Sequence, residues 1–228
     1  MRKRFWITPF VGAAVVMTAA SAHAASFNLA AGNSDISGFT GPYASVVVTR
    51  TDSTHATVTI TSLTNSGKIF LLGSDAIGVN VNATTWIVGA MNGTNSGTGF
   101  TPGPFSDGGA GNEDGFGQFN QIVNSFDGFT HSSNFVSFDL TNASGTWAAD
   151  TDVLKPNANG YLASAHIFVT TSPANASNTA LATGYAGGDG TGNPPPPPVP
   201  LPAAAWTGLT ALAGLGAIGK LRRKPAHD

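Results

Sequence analysis

The sequence predicts an all-β domain, an antiparallel β-sandwich, between two chain ends of different character. The clearest sign is HATVTITSL, residues 55–63, in which Val58 and Ile60 alternate with threonines at the period of two expected of a half-buried strand. Similar short runs are separated by clusters of Gly, Asn, Asp and Pro, and helical spacing of apolar residues is hard to find. A jelly-roll order of strands is one arrangement that the pattern allows.

Eight segments are predicted to be strands. In chain order they are YASVVVTR (43–50), HATVTITSL (55–63), KIFLL (68–72), IGVNV (77–81), TTWIVGA (84–90), GQFNQIV (117–123), NFVSFDL (134–140) and ASAHIFVT (163–170). In NFVSFDL, Val136, Phe138 and Leu140 share one face, opposite Phe135 and Asp139. We therefore expect each strand to bury one face and expose the other.

One domain, residues 25–183, is expected to hold the core. Twelve of the 14 Phe, all except Phe5 and Phe10, fall in the central part of the chain together with Trp86 and Trp147. The chain has no cysteine, which excludes a disulfide framework, a thiolate metal site and a Cys nucleophile. About 150 residues are enough to bury a core without such cross-links.

The central segment is strongly acidic, although the whole chain has a formal net charge of only −2. Between positions 25 and 193 only Arg50, Lys68 and Lys155 oppose eleven acidic residues, which gives a net charge of −8. Binding to a nucleic-acid backbone requires a basic surface. We therefore expect no nucleic-acid partner.

The first 24 residues, MRKRFWITPFVGAAVVMTAASAHA, are typical of a secretory signal peptide. A cationic start at residues 2–4 precedes an apolar run, residues 11–20, that is too short to span a bilayer comfortably. Ala22 and Ala24 form an Ala-x-Ala pattern, which predicts that signal peptidase cuts after Ala24. An uncleaved membrane anchor is the alternative.

The C-terminal end predicts a stalk, a membrane helix and a basic tail. Residues 184–198 are rich in Gly and Pro, and their five consecutive prolines favour extended polyproline II. Residues 203–219 carry no charge and would reach about 25 Å as a helix at ~1.5 Å per residue, close to the lower limit for a transmembrane helix. The positive-inside rule places the following cations in the cytoplasm and the domain outside; they are Lys220, Arg222, Arg223 and Lys224.

The segment VPLPAAAWTGLTALAGLGAIGKLRRK, residues 199–224, resembles the PEP-CTERM sorting domain in its VPLPA variant. The match consists of a short proline motif, a small-residue-rich helix and a basic cluster in that order. The motif residues are Val199, Pro200, Leu201, Pro202 and Ala203. Residues 114–169 also look like uncharacterised ectodomains of PEP-CTERM proteins, a resemblance that implies no activity. The alternative interpretation of the tail is an ordinary C-terminal membrane anchor that is never processed.

The resemblance implies the partners and the destination of the chain. Such proteins are substrates of an exosortase, a membrane enzyme of Gram-negative bacteria that commonly make extracellular polysaccharide and biofilm. The expected route is therefore export, anchoring in the inner membrane in transit, and release to the cell surface or the extracellular matrix.

The residues of the domain predict no catalytic site. His55, His131 and His166 have no zinc-binding spacing; His166 is predicted to be a packed or hydrogen-bonded core residue and His131 to be solvated. The nucleophile motif G-x-S-x-G is missing, and Glu113 is the only Glu available for a carboxylate pair. We expect a non-enzymatic protein.

One loop has oxygen ligands that calcium could use. In SDGGAGNEDGFG, residues 106–117, these are Asp107, Asn112, Glu113 and Asp114. The spacing does not fit an EF-hand, and a plain acidic turn is the favoured interpretation, so no cofactor is expected.

The leading functional hypothesis is an exported surface or matrix protein that associates with exopolysaccharide. The alternative is a lectin-like carbohydrate-binding module using exposed aromatic residues such as Tyr43 or Trp86. A secreted glycan-active hydrolase ranks third.

Overall fold

Two antiparallel sheets contain the twelve strands of the residues that the computed structural model describes, which are 24–63, 69–71, 73–170 and 180–191. The strands are β1 (Ala24–Leu29), β2 (Ala31–Gly32), β3 (Ala44–Arg50), β4 (His55–Ser62), β5 (Ile69–Leu71), β6 (Ile77–Val79), β7 (Trp86–Thr94), β8 (Ser106–Glu113), β9 (Gly117–Asn124), β10 (Phe135–Asn142), β11 (Ala163–Val169) and β12 (Ala182–Gly188). Short 3-10 helices at Ser34–Ile36, Phe129–His131 and Asp150–Asp152 lie in the connections. The predicted all-β class is confirmed.

Sheet A has five strands in the order β1-β3-β4-β10-β7. In the β3–β4 pair, Val46 lies opposite Ile60 and Val48 lies opposite Val58, and all four side chains are buried. The intervening residues of β4, such as Thr59, remain partly exposed. The period of two therefore decides which face of the sheet enters the core.

Sheet B has the order β2-β12-β11-β6-β9-β8, and β5 also pairs with β11. Strand β11 lies centrally: it pairs with β12 along one side and with β6 and β5 along the other. Its residues Ala163, Ala165 and Ile167 face the inside. The alternate residues Ser164 and His166 consequently lie on the outer face of sheet B.

A single apolar cluster joins the inner faces of the two sheets in a sandwich-like arrangement. Ile60 and Phe138 of sheet A and Ile77 and Ile167 of sheet B each expose 0% of their surface. Burying one such side chain contributes about 1.5–3 kcal/mol. Hydrophobic burial therefore stabilises this domain without disulfides.

Two tryptophans close the core at its margins and satisfy their ring N–H groups. Trp147 is 2% exposed and its Nε1 donates to the Asn82 carbonyl at 2.8 Å. The half-buried Trp86 of β7 donates from Nε1 to Gln121 Oε1 of β9, also at 2.8 Å. This second bond connects an outer strand of sheet A to sheet B.

Four strands, β1, β2, β8 and β12, are missing from the sequence prediction, and two of them are rich in glycine. Residues 106–113, expected to lie in an acidic loop, form β8, which pairs with β9 through two irregularities in register. Residues 182–188 form β12, whereas the stalk was expected to begin at residue 184, so that boundary was placed too early. Both strands were missed because Gly and Ala give no apolar alternation, while their neighbours supply the backbone hydrogen bonds.

The remaining predictions about the chain ends fall outside the described residues. These comprise nearly all of the signal peptide, residues 1–23, together with the sorting motif at 199–203, the membrane helix at 203–219 and the basic tail. In the part of the chain that is described, no helix has the length and apolar character needed to cross a membrane.

Candidate functional site

A trough on the outer face of sheet B is made by residues with little or no side chain. Ser164 of β11 pairs with Gly78 of β6 on one side and with Gly187 of β12 on the other. A methyl group placed on Gly78 would lie 2.9 Å from the Phe119 ring and 3.0 Å from Glu113 Cγ. The bare backbone therefore makes the space in which the side chains of Phe119 and Glu113 lie.

The hairpin formed by β8 and β9 covers this trough. Gly115 and Gly117 in its turn have φ angles of +85° and +89°, which glycine adopts without steric cost. The Phe116 N–H donates to the Glu113 carbonyl at 3.0 Å across the turn. Phe116 thereby folds back onto sheet B, where its ring occupies the space that a side chain on Gly187 would need.

Polar and aromatic contacts fasten the tip of the hairpin. Asn33 Nδ2 donates to Asp114 Oδ2 at 3.1 Å, and Asn157 Nδ2 donates to the Phe116 carbonyl at 3.0 Å. The rings of Phe116 and Tyr161 meet edge to face, with their centroids 4.8 Å apart. The tip is thus held by loops on two sides of sheet B.

Glu113 lies beneath this hairpin without a hydrogen-bonding partner. It exposes 0% of its surface, and neither carboxyl oxygen has a hydrogen bond. Burial raises the pKa of Glu113 well above its ordinary value, and the negative charge of Asp75 raises it further. The Ser164 hydroxyl lies near enough to lower the pKa of Glu113 slightly, but not in the geometry of a hydrogen bond. The carboxyl is therefore held towards its neutral form.

His166 and Tyr185 flank the trough as a stacked pair. Their ring centroids are 4.6 Å apart with 15° between the planes, and His166 Nδ1 lies 3.2 Å from the Ser74 carbonyl oxygen. Burial lowers the pKa of His166 and raises the pKa of Tyr185, which the neighbouring acidic residues raise further. Both rings are consequently favoured in their uncharged forms. His166 is packed and hydrogen-bonded as predicted, but on the outer face of sheet B rather than in the core.

Two aspartates lie at the margin of the trough. Asp75 has a φ of 51°, a backbone region that residues with a side chain rarely adopt, and its N–H donates to Asn124 Oδ1 at 2.9 Å. Asp127 Oδ1 accepts bonds from the Ser74 N–H and hydroxyl, each at 2.9 Å. These two bonds lower the pKa of Asp127. Asp127 is therefore a negatively charged carboxylate at the margin of the trough that contains Glu113.

The four residues considered for calcium do not form one group. Asp107 and Glu113 lie at opposite ends of β8, and Asp107 Oδ1 accepts from Gln121 Nε2 at 2.7 Å. Asn112 is exposed, whereas Glu113 beside it is buried, and Asp114 is bonded to Asn33. Within the described ranges, no three His, Cys, Asp or Glu residues are placed to hold a metal ion.

Two side chains, those of Tyr43 and His131, lie in environments that differ from the predicted ones. Tyr43, considered as an exposed sugar-binding aromatic residue, is 2% exposed, and its hydroxyl donates to the Phe39 carbonyl at 2.5 Å. It lies immediately before β3, and its side chain belongs to the buried core. His131, expected to be solvated, is half-buried: Nδ1 lies 2.6 Å from the Gly103 oxygen, and the Phe126 ring packs on it.

The exposed His55 pairs with Asp52 at 2.8 Å on a turn far along the chain from Glu113.

The sequence signals at Glu113 were weak. It is the only Glu of the chain and precedes the turn residues DGFG, but nothing in that pattern indicates burial.

Comparison of the chain with protein families, with curated proteins and with solved structures finds no match in any of the three.

Proposed function

We propose that the chain is a non-enzymatic exported protein of a Gram-negative bacterium, sorted by an exosortase to the cell surface or the extracellular matrix. In this proposal, signal peptidase removes residues 1–24 and the β-domain is carried across the inner membrane. The segment at 203–219 holds it there in transit as a transmembrane helix. This extracellular matrix consists of exopolysaccharide or biofilm.

One observation carries the proposal: the order of signals in residues 199–224. The motif Val199 to Ala203 precedes sixteen uncharged residues, 204–219, and four cations follow within the next five positions. Pro200 and Pro202 keep the motif extended. They also prevent the helix that follows the motif from starting any earlier in the chain. A cationic start at residues 2–4 demands the same orientation of the chain as the basic tail.

The described β-domain is compatible with this role. Its two antiparallel sheets bury a core without cysteine, so that folding outside the cytoplasm needs no disulfide formation. Glu113, the only Glu of the chain, is fully covered in the described form of this domain. The jelly-roll order of strands remains a prediction.

The test replaces both motif prolines, Pro200→Ala with Pro202→Ala, in a Gram-negative host that contains an exosortase. The expected result is loss of surface display and accumulation of a longer species in the inner membrane. The matched control is Pro194→Ala with Pro196→Ala, which removes two prolines from the neighbouring run outside the motif. Equal surface display of both double variants would overturn the proposal.

A carbohydrate-binding role is a second candidate, favoured by the outer face of sheet A. Thr59, Ser137 and Asn92 lie side by side on three adjacent strands, and their polar groups are suited to sugar hydroxyls. Binding of exopolysaccharide to the chain should be lost in Thr59→Lys with Ser137→Lys and retained in Asp35→Lys, which lies in the 3-10 helix at Ser34–Ile36. No retention of the unmodified protein on immobilised exopolysaccharide would remove this candidate.

A further inference from the structure

We propose that Glu113 is a proton-operated latch: the protonated side chain allows β8 and the β8–β9 turn, residues 106–116, to lie closed over the trough, and loss of the proton releases this segment. The proposal concerns the β-domain alone and is independent of whether the tail is cut.

The covered site tolerates a neutral carboxylic acid far better than a carboxylate. Glu113 is 0% exposed, both of its oxygens lack partners, and its Cγ lies over the backbone of Gly78 beside Phe119. A buried carboxylate needs hydrogen-bond donors or a cation, and the unpartnered Ser164 hydroxyl is the polar group nearest to it. Ionisation would therefore place an uncompensated charge against apolar surface.

The charged and titratable groups around the hairpin add to this cost. Asp75, in the segment before β6, repels a charge on Glu113, and Tyr185 of β12 responds to the charges of Glu113, Asp75, Asp114 and Asp127. His166 of β11 is favoured in its neutral form by burial. The groups that face Glu113 from these elements therefore offer it no positive charge.

Strand β8, the outer strand of the hairpin, is the element that can yield. It pairs with β9 on one side only, and six of its eight residues, Ser106 to Ala110 and Asn112, are exposed. No residue of β8 belongs to a buried apolar cluster, whereas Val123 of β9 belongs to the core between the sheets and Phe119 and Ile122 to a smaller cluster with Phe116. Elements with few buried apolar contacts open at a low free-energy cost while the rest of a domain stays folded. Opening would break the Asn33–Asp114 and Asn157–Phe116 hydrogen bonds and lift Phe116 from Gly187. Solvent, or an apolar ligand, would then have access to the aromatic residues beneath.

Linkage gives the sign and the window of the effect. The open hairpin exposes Glu113, whose pKa then falls to about 4.3. Between that value and the raised pKa of the closed form, the open state holds fewer protons than the closed state. The opening constant should therefore rise about tenfold for each pH unit in this window and become constant above it.

A single labelled carbon tests the first half of the proposal. Glu113 is the only Glu, so ¹³C-glutamate labelled at the carboxyl and incorporated into the full-length chain in detergent micelles gives one side-chain signal to follow. The expected result is a midpoint well above about 4.3. A midpoint at the ordinary value would overturn the proposal.

Amide hydrogen exchange on the same sample tests the second half. After correction for intrinsic exchange, protection of residues 106–116 should fall about tenfold per pH unit up to the Glu113 midpoint and then level off. Glu113→Gln, which is neutral and of the same shape, should remove this dependence, whereas Asp107→Asn at the other end of β8 should keep it. Protection that stays constant through the Glu113 titration would overturn the proposal, whatever the variants do.

Discussion

Glu113 packs on the bare backbone of Gly78, so that a methyl group added to Gly78 would lie only 3.0 Å from the Glu113 Cγ. The two residues are 35 positions apart and belong to strands separated by β9 in sheet B. The absence of one side chain on β6 thus makes room for an acidic one from β8. This contact depends on space rather than on any hydrogen bond.

Gly78→Ala should destabilise the domain by about 1–3 kcal/mol, because the added methyl also lies 2.9 Å from the Phe119 ring and neither neighbour has free space. Chemical denaturation of the full-length chain in detergent measures the change. Gly38→Ala is the matched control, since a methyl group there meets nothing within 4 Å. Equal stability of the two variants would contradict the packing described.

Asp150 holds the end of β3 through two contacts with Arg50. Its Oδ1 accepts from the Arg50 backbone N–H at 2.7 Å and lies 3.6 Å from the guanidinium Nε, while the same guanidinium donates to the Trp147 carbonyl. Asp150→Ala should cost about 2–3 kcal/mol, somewhat below the value for a fully buried pair because the Arg50 side chain is 22% exposed.

The matched variant for this pair is Asp150→Asn, which keeps an oxygen for the Arg50 N–H and removes only the charge. It should recover at least half of the loss when the two are compared by chemical denaturation. If the Asn variant were as unstable as the Ala variant, the charge rather than the hydrogen bond would hold the strand end.

His166 should make the domain less stable in mild acid. Its pKa is lowered by burial, so the folded state binds the proton less readily than the unfolded chain, whose His pKa is about 6.5. The contribution to stability is complete above that value and is lost as the pH falls through the lower pKa of the folded state. His166→Phe keeps a ring to stack on Tyr185 but cannot titrate.

The measurement for His166 is the difference in unfolding free energy between pH 7.5 and pH 5.0. This difference should be smaller in His166→Phe than in the unmodified chain, although the variant loses the contact with the Ser74 carbonyl at both pH values. An identical difference in the two proteins would show that His166 does not couple to folding.

The sequence predicted eight of the strands from their apolar pattern and missed β1, β2, β8 and β12, although Phe27 and Leu29 of β1 do alternate with Asn28. HATVTITSL was predicted from its period of two, and β4 occupies His55–Ser62. Strands β8 and β12 consist largely of Gly and Ala, so only the hydrogen bonds of β9 and β11 identify them. Local pattern carries information on burial, but the strand order of a sheet depends on distant segments.

The candidate site escaped prediction for the same reason. Glu113, Gly78 and Ser164 come from three strands that pairing brings together, and their sequence neighbours differ: polar residues beside Glu113, Ile77 and Val79 beside Gly78, and alanines beside Ser164. A lone Glu between Asn112 and Asp114 is typical of an exposed turn. Its burial follows from the glycines across the sheet, which no spacing in the chain reveals.

The most direct test of the proposed sorting is the intact mass of the mature protein recovered from the surface of a host that contains an exosortase. The account predicts a chain that begins at Ala25 and lacks the basic segment, residues 220–228. A surface-displayed molecule whose mass still includes residues 220–228 would contradict it.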